Sequence, residues 1–399
     1  MYKCIKYILA VVVLLSMSLR LQAESKRFGA IVANSRIPYT DVNNVIEDSY
    51  GFLWISTWSG VLKFDGNSYT KYWRIRNNDN SLSSNVCFKS FEDSQGRLWV
   101  CTGEGLCLYD RVHNNFERVR FKTQNSRGAY AMTEDKDGYL WVVGSEALIR
   151  FSPERKDTAY FKGNWGMDLV DLDDEIWVCS VDIGVNIFNK KDGSFMPLKT
   201  KGAEKVSSRV KTILKASDGT VFLGSVDKGF YHLTKEREVL GHYPANGAAY
   251  GICSNSILSF FEDSKHNIWI GSVNGNLALF NLKKRRYEPL TYQLPENVDP
   301  NNVTVSSILQ DSHDNFWLST HRFWMLNSNS VMDAFYYYQK GSADDGYKSL
   351  SNNVVSSLAL LQKSGKVIIG TDGGGLTFFS NEKGFLGHDF NVGNVVLDI

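Results

Sequence analysis

The chain has 399 residues, 43% of them hydrophobic and 13% aromatic, so it can bury a large core and is not a disordered polymer. Its formal net charge is +1 and it contains no long run of like charges, which excludes an extended basic surface of the kind that binds nucleic acid.

Residues 1–23 are predicted to be a secretory signal peptide. Lys3 and Lys6 form a basic start, Ile8–Leu15 is an apolar run too short to remain in a bilayer, and Leu21–Ala23 offers a small-residue cleavage site. The alternative is an N-terminal anchor that is not cleaved. No later segment reaches the ~18 consecutive apolar residues of a membrane helix, so we expect an exported chain whose mature part does not contact the membrane.

The rest of the chain repeats one short segment eight times. Successive copies are 36 to 51 residues apart, a period that suits the four-stranded blade of a β-propeller. Each copy is centred on one residue, which we call the central aromatic: Trp54, Trp99, Trp141, Trp177, Phe222, Trp269 and Trp317, with Ile368 in the eighth copy.

Apolar residues flank the central aromatic on both sides, as Leu53 and Ile55 do in the first copy. Three consecutive apolar residues do not alternate, so both faces of this strand must be covered. A strand wedged between neighbouring blades meets that requirement.

The five cysteines after residue 23 have no CxxC spacing, so they predict small buried residues rather than a disulfide framework or a zinc site.

A tight turn is predicted before each central aromatic. Three residues before it stand residue types that tolerate a left-handed backbone: Gly51, Gly96, Gly138, Gly219 and Gly365, with Asp174, His266 and Asp314 in the other copies. Six residues before it stands an aspartate in six copies: Asp48, Asp93, Asp135, Asp171, Asp263 and Asp311. Aspartate there can accept backbone N–H bonds from the turn, so we interpret this series as structural rather than catalytic.

These copies resemble the regulator-propeller repeat of hybrid two-component sensors, a family that controls polysaccharide use in gut-type Gram-negative bacteria. The resemblance is strongest in Ile46–Thr57, with Gly60 and Phe64–Asp65 after it, and in Phe91–Asp110. In that family the periplasmic part usually consists of two seven-bladed propellers and a small β-sandwich. A membrane helix and cytoplasmic kinase and receiver domains follow.

The resemblance implies an all-β fold: a seven-bladed β-propeller of four-stranded blades at residues 24–341, then the first blade of a truncated second propeller at residues 342–399. Gly393–Ile399 looks like the inner strand of a ninth copy. We expect Arg27–Ala33 to supply an edge strand that closes the ring, since closure removes exposed sheet edges. The alternative is a single eight-bladed ring made from all eight copies.

Residues that the repeat does not explain are the candidates for ligand binding. Trp58 and Trp324 lie in the turn after the central strand, and His321 and Arg322 replace the small residues that other copies have there. An aromatic face can stack on a sugar, and an arginine can pair with sulfate or carboxylate. The alternative is that these side chains, like Trp73 and Trp165, only pack between blades or against the second propeller.

The resemblance further implies a periplasmic sensor that binds an oligosaccharide or a periplasmic protein, and that forms a homodimer in the full-length family member. The signalling domains would be absent from this chain, which we therefore expect to be an N-terminal fragment without enzyme activity. No HExxH, GxSxG, P-loop or CxxC motif occurs, so no cofactor, metal or catalytic residue is expected. The alternatives are a carbohydrate-active enzyme on the propeller fold, either a glycosidase or a lyase, and a passive interaction scaffold or remnant.

Overall fold

The computed structural model describes residues 26–27, 29–30, 42–66, 68–119, 121, 128–163, 166–248, 250–275, 277–290, 292–293, 303–320, 324–328, 349–350, 355–361, 364, 366–371, 374–380 and 384–389. These residues form strands and turns, and no helix occurs among them. The predicted signal peptide, the predicted boundary between residues 341 and 342, and the ninth copy at residues 393–399 lie outside the described residues. The chain divides into two compact units, Met1–Ser330 and Val331–Ile399.

The first unit contains seven four-stranded antiparallel sheets, which we number as blades 1 to 7 along the chain. Two short strands come before them, β1 (Lys26–Arg27) and β2 (Gly29–Ala30). Blades 1 to 3 consist of β3 (Val42–Glu47), β4 (Leu53–Thr57), β5 (Gly60–Phe64), β6 (Tyr69–Tyr72), β7 (Cys87–Glu92), β8 (Leu98–Thr102), β9 (Gly105–Asp110), β10 (Asn115–Val119), β11 (Ala129–Glu134), β12 (Leu140–Gly144), β13 (Ala147–Phe151) and β14 (Thr158–Lys162).

Blades 4 to 6 continue the same up-and-down order, and blade 7 completes it with a strand from the start of the chain. Blades 4 to 6 consist of β15 (Asp168–Leu172), β16 (Glu175–Ser180), β17 (Gly184–Asn189), β18 (Phe195–Pro197), β19 (Val210–Lys215), β20 (Val221–Ser225), β21 (Phe230–Leu233), β22 (Val239–Tyr243), β23 (Ile257–Glu262), β24 (Asn267–Ser272), β25 (Ala278–Asn281) and β26 (Arg286–Glu288). A short strand, β27 (Tyr292–Gln293), then pairs in parallel with β1. Blade 7 consists of β28 (Val305–Gln310), β29 (Phe316–Thr320), β30 (Trp324–Ser328) and β2.

The second strand of every blade is buried on both faces, as its unbroken apolar sequence predicts. All five residues of β4 are buried, and Trp54 is 0% exposed. Its indole packs in one cluster with Val100 and Phe116 of blade 2, while Ile55 packs in another with Trp317 of blade 7. The hydrophobic core therefore lies in the layers between blades, and the prediction that the central strands are wedged between their neighbours is confirmed.

The ring closes after seven blades. The innermost strands β28 and β3 are joined by two hydrogen bonds: Val45 N donates to Ser307 Oγ at 3.3 Å, and Ser306 Oγ donates to the carbonyl of Val42 at 2.5 Å. Gly29–Ala30 pairs with β30 as the outer strand of blade 7, which confirms the predicted edge strand for these two residues. Blades 7 and 1 are thus direct neighbours, and the eight-bladed alternative is wrong.

The second unit holds the eighth copy of the repeat. It forms one four-stranded antiparallel sheet of β31 (Val355–Leu361), β32 (Lys366–Thr371), β33 (Gly375–Ser380) and β34 (Gly384–Asp389). Ile368 takes the place of the central aromatic in β32.

The repeated aspartates lie in the turn between the first and second strands. Asp48 is representative: its Oδ1 accepts the backbone N–H groups of Tyr50 and Phe52 at 3.0 and 2.9 Å, and its Oδ2 accepts the indole N–H of Trp54 at 2.8 Å. The same three bonds recur in blades 2, 3, 6 and 7, at Asp93, Asp135, Asp263 and Asp311.

Blade 4 departs from this pattern. Asp171 lies within β15, opposite Ile176, and pairs with Lys190 at 2.6 Å. The indole of Trp177 donates to Glu175 instead, at 2.9 Å. The left-handed turn residue is Asp173, with φ 63°, and not the predicted Asp174, because this hairpin is shorter than those of the other blades.

Candidate ligand site at the mouth of the central channel

The innermost strands of the seven blades surround a channel of about 500 Å³. All seven begin at the same face of the ring, next to the turn between the second and third strands of their own blade, because Val42 pairs with Thr57 and Val305 with Thr320. We call this face the mouth face. The turns that carry the repeated aspartates lie at the opposite face.

A β-bulge at the start of the inner strand shapes the mouth in every blade except the fourth. In blade 1, for example, Val42 pairs with Thr57 and Asn44 with Ser56, so Asn43 is an extra residue in the ladder. A bulge re-aims the extra side chain and is common next to binding sites. The six extra residues all line the channel: Asn43, Phe88, Tyr130, Lys211, Leu258 and Ser306.

One side of the mouth is aromatic. Trp58, in the turn between β4 and β5, lines the channel and is 52% exposed. Its ring meets Phe88 edge-on, with centroids 6.3 Å apart, and Phe88 lies 4.9 Å from Tyr130. Three neighbouring blades thus contribute an arc of rings whose outermost member is open to solvent, which is the arrangement that stacks on the apolar face of a sugar.

The other side of the mouth carries charge. Lys89 reaches past blade 3 to Asp168, with Nζ and Oδ1 2.6 Å apart. Asp168 Oδ2 also accepts the hydroxyl of Thr212 at 3.2 Å and the backbone N–H of Ile213 at 3.4 Å. Burial disfavours the ammonium of Lys89, but the charge and hydrogen bond of Asp168 outweigh this and raise the pKa of Lys89.

A second lysine at this side has no such bond. Lys211 lines the channel from the bulge of blade 5, and its ammonium makes no hydrogen bond or ion pair within the described part of the chain. Burial lowers the pKa of Lys211, although the nearby carboxylate of Asp168 opposes the shift. Among the described residues that line the channel, Asp168 is the single carboxylate.

The structure places the predicted ligand residues as follows. Trp58 lies at the mouth, whereas His321 and Arg322 lie outside the described residues. Trp324 begins β30, and its backbone pairs with Thr320 at the mouth face. Trp73 is 48% exposed, in the link after β6.

The bulged residues were not predicted, although the sequence carries a signal for them. Eleven residues before the central aromatic, the seven copies of the ring have Asn43, Phe88, Tyr130, Gly166, Lys211, Leu258 and Ser306. Positions that build the blade agree between copies, and this one does not. A repeat position that differs in every copy, on a strand that lines a channel, indicates a surface adapted to a ligand.

Neither a metal site nor a membrane helix is found where the structure is described. No group of three or more His, Cys, Asp or Glu side chains there is arranged to hold a metal ion. None of the described residues form a helix with the length and hydrophobicity needed to cross a membrane. Cys87, Cys101, Cys107 and Cys179 are buried free thiols, while Cys253 is exposed.

Comparison with known proteins identifies the repeat. Residues 36–59 and 251–274 match the model of the family described as two component regulator propeller. A histidine kinase P4 from Formosa agariphila is 25% identical over 79 residues, which is 19% of this chain and 6% of that protein. The predicted resemblance to the regulator-propeller repeat is confirmed.

Solved structures show the same fold. The extracellular domains of two putative hybrid two component systems from B. thetaiotaomicron superpose with TM-scores of 0.61 and 0.60, at 20% and 16% identity. The matches cover 91% and 89% of this chain but 49% and 46% of those chains, so this chain spans about half their length. A streptogramin B lyase superposes with a TM-score of 0.57 at 12% identity, over 76% of this chain and 97% of the lyase. At such identities these likenesses concern the fold alone.

Proposed function

The chain is a propeller that carries two-component regulator propeller repeats, and from this premise we propose that it is the extracytoplasmic ligand-sensing part of a two-component regulatory system. We propose further that it binds an oligosaccharide at the mouth of the channel. The observation that carries this proposal is the arc of Trp58, Phe88 and Tyr130, which opens a half-exposed indole beside hydrogen-bonding and charged groups.

The chemistry of the mouth fits a sugar better than a wholly apolar ligand. Sugar rings have apolar C–H faces that stack on aromatic side chains and hydroxyls that need polar partners. The mouth offers both kinds of group, since Asn43 and Ser306 line it together with Trp58. In a full-length sensor, a bound sugar would shift the packing of propellers within a dimer by favouring one of two arrangements.

An enzymatic role has less support. Glycoside hydrolysis generally needs two carboxylates on either side of the scissile bond, whereas the described channel lining contains Asp168 alone, and this carboxylate is held by Lys89. The likeness to a lyase lies in the fold, which hosts many functions. Release of products from a glycan during incubation with the protein would favour the enzyme alternative.

Titration calorimetry with a panel of oligosaccharides tests the proposed function. At least one glycan is expected to bind, and Trp58→Ala is expected to weaken its binding by about fivefold or more, because loss of a stacked aromatic removes about 1–3 kcal/mol. Tyr50→Ala is the matched control, since Tyr50 is 67% exposed in a turn at the opposite face. Absence of binding by any glycan, or equal binding by the parent and Trp58→Ala, would contradict the proposal.

A further inference from the structure

The charged groups in the described part of the channel lining do not balance. Lys89 and Asp168 form a pair 2.6 Å apart, which leaves the ammonium of Lys211 as one positive charge in excess. No other residue of the described channel lining carries a formal charge at neutral pH. A partly buried charge without a partner is unfavourable, since it has lost water and gained no hydrogen bond in return.

Asp168 does not cancel this charge, because its oxygens are already engaged. Oδ1 accepts Lys89, and Oδ2 accepts the hydroxyl of Thr212 and the backbone N–H of Ile213. Lys211 therefore feels the charge of Asp168 without a hydrogen bond to it. The lowered pKa of Lys211, which burial causes, agrees with an ammonium that lacks a direct partner.

The local backbone holds Lys211 at the mouth. Its neighbours Val210 and Thr212 pair with Ser225 and Gly224, so Lys211 is the extra residue of the bulge. The same slot of blade 6 holds Leu258, so the slot does not need a charge for packing. A lysine there costs stability in the free protein, and its charge points to a role in binding.

On this basis we propose that the channel mouth selects an acidic saccharide, whose carboxylate or sulfate accepts hydrogen bonds from the ammonium of Lys211 while a sugar ring stacks on Trp58. This inference rests on the proposed function and adds the chemical class of the ligand. One negative charge on the ligand would balance the described lining, and a charge-assisted hydrogen bond of this kind is stronger than a neutral one.

Thermal unfolding with inorganic sulfate tests the anion site without a sugar. The unfolding midpoint is measured in sodium sulfate and in sodium chloride of equal ionic strength for the parent, Lys211→Met and Lys215→Met. Lys215 is exposed at the far end of the same strand, so it is a matched control. The general stabilising effect of sulfate is common to all three proteins and cancels in the comparison.

The parent and Lys215→Met are expected to gain a larger upward shift in sulfate than Lys211→Met. In chloride, Lys211→Met is expected to unfold at the same temperature as the parent or higher, because an unpaired buried charge has been removed. An equal sulfate shift in the parent and Lys211→Met would overturn the inference.

Charged and neutral saccharides show whether a carboxylate or a sulfate is bound. They also test this inference separately from the proposed function. Calorimetry compares tetragalacturonate with its methyl ester, and a sulfated galactan tetramer with its desulfated form. Binding of one charged form about tenfold tighter than its neutral counterpart, with the preference lost in Lys211→Met, would support the inference and identify the group. Equal binding of charged and neutral forms, unchanged in Lys211→Met, would overturn the inference and leave the proposed function intact. A Lys211-dependent sulfate shift without binding of any saccharide would support the anion site and contradict the proposed function.

Discussion

At the scale of the residue, the repeated aspartate of blades 1, 2, 3, 6 and 7 accepts a hydrogen bond from the indole of the central tryptophan. A buried indole N–H without an acceptor costs about 1–3 kcal/mol, and the turn places the carboxylate 2.8–2.9 Å away. Blade 5, which has Ala216 in place of the aspartate, has Phe222 in place of the tryptophan, and phenylalanine needs no acceptor. In blade 4 the acceptor is Glu175.

The backbone part of this role could be predicted from the sequence, since aspartate before a tight turn is a known pattern. The indole partner was not predicted, because it depends on how the second strand folds back over the turn. The joint change of residues 216 and 222 was the available signal.

His232 makes the fold sensitive to acid. Its side chain is 0% exposed, stacks on Phe222 with ring centroids 4.3 Å apart, and shares a hydrogen bond of 2.8 Å with Thr220 Oγ1. Burial lowers its pKa to about 4, so the unfolded chain takes up a proton near pH 6.5 that the folded chain refuses. The free energy of unfolding therefore falls as the pH drops from about 6.5 towards 4, by about 2 kcal/mol at pH 5 from this group.

His232→Leu is expected to remove about 2 kcal/mol of the stability difference between pH 7.5 and pH 5, measured by urea unfolding at both values. Leucine stands opposite the central aromatic in blades 2 and 6, as Leu108 and Leu279, so it should fit the position. The exposed His313→Gln serves as the control and should keep the profile of the parent. A leucine variant with the same pH dependence as the parent would show that another group is responsible.

At the scale of the element, the order of strands could be predicted and the bulges could not. The unbroken apolar run around Trp54 predicts a strand that is covered on both faces. One extra residue at the start of β3 leaves the apolar pattern unchanged, so the bulge could not be predicted from it. The ion pair between Lys89 and Asp168 also could not be predicted from the sequence. These residues are 79 positions apart and meet only because the ring places blades 2 and 4 on either side of a narrow channel.

The turn between the second and third strands depends on glycine for lack of space. Gly229 has φ +75°, and a Cβ on it would lie 2.2 Å from the carbonyl oxygen of Tyr243. Gly219 in the same blade has φ +81°, and a Cβ there would meet nothing within 4 Å. A side chain at either position would therefore have a strained backbone, but only a side chain at Gly229 would also clash with a neighbouring strand.

Gly219→Ala is expected to cost about 1–2 kcal/mol, the price of a left-handed alanine, and Gly229→Ala about 3 kcal/mol or more, since backbone must also move. Urea unfolding of both variants and the parent measures the two losses. Equal decreases in the free energy of unfolding would mean that the outer strand moves away at no cost and that the close approach at Gly229 is unimportant.

At the scale of the whole molecule, one pair of hydrogen bonds recurs at several of the seams between blades. The serine after the repeated aspartate donates its N–H and hydroxyl to a glutamate at the end of the next inner strand, as Ser49 does to Glu92 at 2.6 and 2.8 Å. Ser312 makes the same two bonds to Glu47, at 2.7 and 2.8 Å, across the seam between blades 7 and 1. The closing seam is therefore built like the seam between blades 1 and 2, although its two sides come from opposite ends of the unit.

Removal of residues 24–33 is expected to destabilise blade 7, which closes the ring. Without Gly29–Ala30, β30 becomes an edge strand with unpaired backbone groups, which favours association with other chains. Thermal unfolding should occur several degrees lower, and light scattering should report larger species. A synthetic peptide of residues 24–33 should restore the midpoint, whereas a scrambled peptide should not. A truncated chain that unfolds at the parent's temperature would contradict a closing role for this strand.

The shared blade also governs when the protein can fold. Gly29 pairs with Asn327, which is about 300 residues further along the chain. Closing so long a loop lowers the entropy of the chain before the contacts of blade 7 can stabilise it. This pairing joins residues much further apart in the sequence than the pairings within the other blades, and such non-local contacts slow folding. Until the C-terminal strands of the ring have been made, blades 1 to 6 can form only an open row. Such a row exposes apolar residues of blade 1, such as Ile55, which are buried only when blade 7 packs against them.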